Sequence, residues 1–154
     1  MAFNIRRANA SDMDFLQRGV RDLLSELRGC MVELEKEELK ETITHMISDN
    51  EHYGIFIANH DEKQIGLMAF SVVKAMHCGK YAVIEELWVL KDYRNAGTGK
   101  LLIGALERYC AQQKIKRIDV GLPGASFQDF DKTNSFYSGC GFTDVGLRKK
   151  KVIE

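Results

Sequence analysis

The order of elements along the chain predicts a mixed α/β fold: strand, two helices, three strands, helix, strand, helix, strand. Two observations carry this reading. β-Branched and aromatic runs recur from the N-terminal segment to the C-terminal one, and the stretches between them place apolar residues at helical spacing. A third observation makes the sheet mixed, because only the strand–helix–strand unit from Tyr81 to Leu122 demands a parallel crossover.

"FNIRRA" is the first strand, and Ser11 with Asp14 three residues on predicts the start of a helix. Leu16, Val20, Leu23, Leu24 and Leu27 then share one face, and Gly29 marks the stop. A second helix carries Leu39, Ile43, Met46 and Ile47, with Glu33, Glu35, Glu37, Glu38 and Glu41 crowding its first half, where acids suit the helix dipole. "GIFIA" and "QIGLMAFSVVK", separated by the turn-like "NHDEK", predict an antiparallel hairpin. "YAVIEELWVL" is a further strand, apolar but for two adjacent glutamates. From Thr98 onward Leu101, Leu102, Ala105, Leu106 and Tyr109 mark a third helix face, and "RIDVGL" alternates as a strand. A short helix around Asn134 to Ser138, the turn "GCG" and a last strand from Phe142 complete the chain. Nothing repeats internally, so the expectation is one domain over residues 1–154.

Composition narrows the function classes. With 45% apolar residues the chain can bury a core without staples or metal. Acidic and basic side chains balance at 22 each, so no global field draws the protein to nucleic acid or an anionic membrane. The four cysteines, Cys30, Cys78, Cys110 and Cys140, form no C-x-x-C pair and have no histidine at ligand spacing, which predicts reduced, mostly buried thiols and no metal site. No signal peptide or membrane span is legible, and a soluble, cytoplasmic protein is expected.

The chemistry concentrates in "YRNAGTGKLL", Tyr93 to Leu102, where a strand runs through a glycine turn into a helix N-terminus. Unpaired backbone N–H groups at the positive end of a helix dipole suit a phosphate. A Walker loop would need glycine at Arg94 and a hydroxyl at Leu101, so the magnesium ligand is missing; a dinucleotide fingerprint would need a third glycine at Leu102. What remains is R-x-x-G-x-G: Arg94, Gly97 and Gly99.

With the preceding Leu87 and Val89, and with "FYSGCGF" about forty residues on (Phe136, Tyr137, Gly141, Phe142), the chain resembles the GNAT superfamily of acyl-CoA-dependent N-acyltransferases. The resemblance implies a mostly antiparallel central sheet of six to seven strands flanked by about four helices. It also implies acetyl-CoA as cosubstrate, with no metal. Its pyrophosphate would lie on the turn Arg94, Asn95, Ala96, Gly97, Thr98, Gly99 and Lys100, and its pantetheine arm along Leu87, Trp88 and Val89. One departure stands out: Phe130 and Thr133 occupy places where many members carry asparagine and alanine. Asn134 is shifted in register, and "PGASFQDFDK" is expected to run a different path.

Amine acylation needs a base, because an alkylamine of ordinary pKa is neutral in only about one molecule in a thousand at pH 7. Strand alternation predicts that Glu85 shares a face with Leu87 and Val89, and Glu86 the opposite face with Ile84 and Trp88. Nine residues before the motif arginine, where relatives often place a base, stands Glu85, acting directly or through a water. The resemblance makes Tyr137 the acid that protonates the departing thiolate, and the Val89 N–H the donor that polarises the thioester carbonyl. Direct attack in a ternary complex is expected, since no cysteine falls in either motif with a histidine beside it.

The acceptor implied is a primary amine of a small molecule. A protein lysine or N-terminus, and a non-catalytic CoA-binding module, are the alternatives, and a homodimer is expected by resemblance. Acids in "RGCMVELEKEELK" would attract a polycationic amine, whereas Arg148, Lys149, Lys150 and Lys151 point the other way, so which amine is acetylated stays open.

Overall fold

The computed structural model describes residues 2–124 and 126–153; Ala125, within the "PGASFQDFDK" stretch, lies outside them. The chain forms two compact units, Met1–Val120 and Gly121–Glu154.

In the first unit, strands β1 (Phe3–Arg7), β2 (Tyr53–His60), β3 (Lys63–Ala75), β4 (Gly79–Val89) and β5 (Ile118–Val120) form one sheet in the order β1-β2-β3-β4-β5. The first three junctions are antiparallel and only β4 with β5 is parallel, as the single crossover predicts. Helices α1 (Met13–Arg28) and α2 (Lys36–Ser48) connect β1 to β2, and α3 (Thr98–Gln112) makes the crossover. The sheet has five strands, not six to seven. The β2–β3 turn is only Asp61–Glu62, shorter than "NHDEK" suggests, because Asp61 adopts φ +53° and lets the strands pair up to His60 and Lys63.

Alternation sorts the core onto two faces. Ile55, Ile57, Leu67, Ala69 and Trp88 pack with Leu16 of α1 and Ile43 of α2. Phe56 and Phe70 point the other way, toward α3, where the Tyr109 ring lies 5.0 Å from Phe70. Gly19 decides how close α1 comes: a Cβ there would collide with Leu67 Cδ2 and sit 3.0 Å from Trp88 Cε3. Gly29 closes α1 at φ +68°, as expected. Leu101 is 44% exposed and leaves the predicted face of α3 to Leu102, Ala105 and Leu106.

A 3₁₀ turn precedes α1, so the helical path begins before the Ser11–Asp14 signal while α1 itself starts at Met13. Asn9 and Asp12 form a reciprocal capping box around a 3₁₀ turn, Ala10–Asp12. Asp12 is 2% exposed and accepts both Arg6 guanidinium nitrogens at 2.8 Å, the Asn9 N–H at 2.8 Å and the Gln64 amide. The hydrogen bond from Arg6 holds its carboxyl below the ordinary range, opposed by burial. Asp12→Ala is expected to cost about 2–4 kcal/mol by stranding these donors, read as a lower urea midpoint. The sign of the pH effect follows. A depressed carboxyl contributes stability above its unfolded value of about 3.9 and loses it as pH falls through the folded value, so the variant's deficit shrinks in acid.

The second unit contains α4 (Phe130–Gly139), longer at its start than the predicted short helix. No regular structure follows it: residues 142–153 form no strand, although a last strand is expected from Phe142. Gly146 and four consecutive cations break any continuous apolar face, and Val145 and Leu147 stay 79% and 97% exposed. Of the cysteines only Cys110 is buried, where burial lifts its thiol to about 11; Cys30 is exposed, so "mostly buried" holds for neither the set nor its majority. Among the described residues no helix is long and apolar enough to cross a membrane, and no group of three or more His, Cys, Asp or Glu could hold a metal ion.

Candidate active site

The site grows out of an irregularity in β4. Ala69 pairs with Glu86, but Phe70 pairs with Ile84, so Glu85 is an extra residue bulged out of the β3–β4 ladder. The bulge resets the alternation. Glu86 lies opposite Ala69 and shares the α1/α2 face with Trp88, while Ile84 lies opposite Phe70 on the α3 face. Glu85 turns toward Ser71, whose hydroxyl donates to its carboxylate at 2.7 Å. Ser71 is two residues from Ala69 along β3 and therefore on the same face. Both glutamates thus lie on one side, correcting the expectation that they point opposite ways with Glu85 beside Leu87 and Val89.

Their environments differ. Glu85 is exposed; Glu86 is half-buried, and burial followed by the charge of Glu85 raises its carboxyl to about 7. Neither takes part in a salt bridge among the described residues.

Beyond the bulge, β4 has an open edge. The parallel pairing with β5 stops at Ile84–Val120. Leu90 donates its N–H to the Ile65 carbonyl at 2.8 Å, so by antiparallel alternation Trp88 and Glu86 also address β3. The Leu87 backbone groups and the Val89 N–H are left facing the other edge. The Trp88 indole is buried in the α1/α2 core, with Phe15 at 5.9 Å between ring centroids.

The edge runs into a 3₁₀ turn, Lys91–Tyr93, and then the glycine turn. Asn95 at φ +60° and Gly97 at φ +89° are both left-handed, a conformation that Gly97 adopts without strain. A Cβ on Gly97 would meet nothing within 4 Å, so this surface is open. The first helical bond of α3 runs from the Leu101 N–H to the Gly97 carbonyl at 3.0 Å, which leaves the N–H groups of Thr98, Gly99 and Lys100 outside the helix ladder. No side chain caps this end and no acid lies in its first turn. An uncapped, unobstructed helix start of this kind fits a diphosphate.

Arg94 plays a different part from its neighbours. It donates from Nε to the Val89 carbonyl at 2.8 Å, and from Nη2 to both carboxylate oxygens of Glu26 at 2.8 and 3.0 Å. It ties α1 to the end of β4 and shapes the turn. Glu26 and Ser71 are hydrogen-bond partners of Arg94 and Glu85 that sequence reading missed; the one hint was a lone hydroxyl in the apolar run "MAFSVV".

In the second unit Tyr137 is buried between the rings of Phe136 and Phe142, at 5.1 and 5.5 Å. Burial, followed by the influence of Cys140, pushes its hydroxyl up to about 12, so it keeps its proton throughout the neutral range. The Phe142 N–H returns to the Tyr137 carbonyl at 3.0 Å around Gly141, at φ +93°. Phe136, Tyr137, Gly141 and Phe142 are thereby one packed motif.

The family model for the acetyltransferase (GNAT) family matches residues 20–142. The chain belongs to the GNAT acetyltransferase family. Its fold is shared with a protein described as a possible acetyltransferase from Clostridium difficile 630 (TM-score 0.82, 17% identity, all of both chains covered). It is shared too with glucosamine-6-phosphate N-acetyltransferase from Arabidopsis thaliana (TM-score 0.73, 18% identity, all of both chains). The structure of AAC(6')-Iy, in complex with the bisubstrate analog CoA-S-monomethyl-acetylneamine, is similar at TM-score 0.76 and 18% identity over 99% of this chain and 100% of that one. No curated protein sequence matches. GNAT members are acyl-CoA-dependent transferases, and the uncapped start of α3 and the open edge of β4 in this GNAT chain are the features suited to that cosubstrate.

Proposed function

We propose that this GNAT protein transfers an acetyl group from acetyl-CoA to a primary amine of a small molecule, by direct attack in a ternary complex. The observation that carries the reading is the open β4 edge running into the uncapped, glycine-opened start of α3. Backbone N–H groups of Gly97, Thr98, Gly99 and Lys100 hold the diphosphate, Asn95 and Ala96 line the turn, and Leu87 and Val89 bond the pantetheine arm. The thioester supplies the activated acetyl group.

Glu86 rather than Glu85 is the base. Burial, and then the charge of Glu85, raise the Glu86 carboxyl to about 7, which suits it to take the acceptor's proton near neutral pH. Glu86 takes the proton that nitrogen loses as the N–C bond forms. The Val89 N–H stabilises the oxyanion, and Tyr137 returns a proton to sulfur as the C–S bond breaks.

A panel of diamines, amino sugars and arylalkylamines, with CoA thiol release as readout, tests the reading. Turnover on at least one is expected; acetyl-CoA binding without turnover on any amine or lysine peptide would instead mark a CoA-binding module. Tyr137→Phe is expected to slow turnover about 100-fold, the low end of general-acid effects, because a thiolate of pKa about 8.5 leaves fairly well unaided. Acetyl-CoA affinity should stay within about twofold. Lost affinity with normal turnover of the bound state would remove Tyr137 from the acid role.

A further inference from the structure

We infer that Glu85 is a positioning residue for Glu86: the β4 bulge sets the two carboxylates side by side on one face, and the Ser71 hydroxyl fixes Glu85 there so that its charge bears on its neighbour. The inference rests on the reading of Glu86 as the base. An unbulged strand would carry consecutive residues on opposite faces, with the sheet between them. One inserted residue removes that barrier, and it does so at the pair of adjacent glutamates. The hydrogen bond from Ser71 then restricts a side chain that is otherwise exposed and free to swing into water.

The other charges around this face are already engaged. On β5, Asp119 lies across from Val83 and is held by Arg117, Nε to Oδ1 at 2.6 Å. On β2, Tyr53 lies across from Ser71, with the His45 ring of α2 at 5.6 Å. His45 itself is 3.8 Å from Asp49, and Glu26 of α1 is bonded to Arg94. Glu85 is the neighbouring charge that, alongside burial, raises the Glu86 carboxyl. Two interacting carboxylates release their protons in steps that belong to the pair. As pH rises through about 7 Glu86 loses its proton and becomes free to take one from the acceptor nitrogen.

The test is a pH titration of side-chain carboxyl ¹³C shifts in glutamate-labelled protein, with the Glu86 signal assigned by its absence in Glu86→Gln. The wild-type midpoint is expected near 7. In Glu85→Gln it should fall by about one unit, and in Ser71→Ala by less, as the freed carboxylate moves into water. Glu85→Asp, which keeps the charge, should retain most of the shift. Because Glu85 is exposed, these variants are expected to fold, and the dispersion of the same spectra reports it. An unmoved midpoint in Glu85→Gln overturns the inference, and so does a wild-type chain with no glutamate titrating above about pH 6. The two readings separate cleanly. If Glu86→Gln loses turnover while Glu85→Gln leaves the midpoint unchanged, the base stands and the pairing falls; if the midpoint moves while Glu86→Gln keeps full turnover, the pairing stands and the base falls.

Discussion

Gly97→Asp is expected to abolish the thermal stabilisation that acetyl-CoA gives the wild-type protein. At a hundred times its Kd a ligand stabilises the folded state by about 2.7 kcal/mol, a shift of several degrees for a chain of this size. The substitution acts twice. It forces a side chain onto a residue at φ +89°, and it sets a negative charge beside the N–H groups that would otherwise meet phosphate. Since a Cβ at Gly97 meets no neighbour, the fold should tolerate the change better than the ligand does. Gly97→Ala separates the two effects: it shares the backbone strain but not the charge, and should keep a measurable part of the shift. ATP and NAD should give the wild-type protein no comparable stabilisation. A full acetyl-CoA shift in Gly97→Asp would move the cofactor away from the start of α3.

Glu86→Gln should lower kcat by about 100- to 10,000-fold, the range of general-base effects, and yet make the protein more stable above neutral pH. The second effect follows from linkage. The Glu86 carboxyl is raised to about 7 in the folded chain but titrates near 4.3 when unfolded, so between those values the native state binds more protons and stability falls as pH rises. Above about pH 7 the whole penalty of a partly buried charge is present. Allowing for the solvent that reaches the carboxylate, glutamine should recover about 1–3 kcal/mol at pH 8 and almost nothing at pH 4. In the wild-type enzyme kcat/KM should rise with pH through about 7, and that limb should vanish in the variant. Lost activity together with lost stability would point to a structural role for Glu86.

The glycine turn, the family motifs and every helix were legible in the sequence because each depends on near neighbours. Gly29 ends α1 through its own φ, and Gly97 opens α3 in the same way. That β4 and the strand after α3 would pair in parallel also followed from the strand–helix–strand pattern of Tyr81 to Leu122. The predicted last strand failed for a complementary reason: β-propensity describes a half-buried surface, and residues 142–153 bury no such face.

Which glutamate faces where could not be read from alternation, because alternation assumes an unbroken ladder. The insertion of Glu85 is a property of the register between β3 and β4, a contact between residues about sixteen positions apart, and no local pattern in "VIEELWV" announces it. Burial of Glu86, the anchoring of Glu85 by Ser71 and the engagement of Arg94 by Glu26 are likewise long-range. The amino-acid sequence by itself determined the helices and the first five strands, the open helix start and the family, all written in short-range chemistry. Only the tertiary structure decided which carboxylate can exchange a proton near neutral pH, because proton affinity depends on how much water and which charges the folded chain leaves around the group.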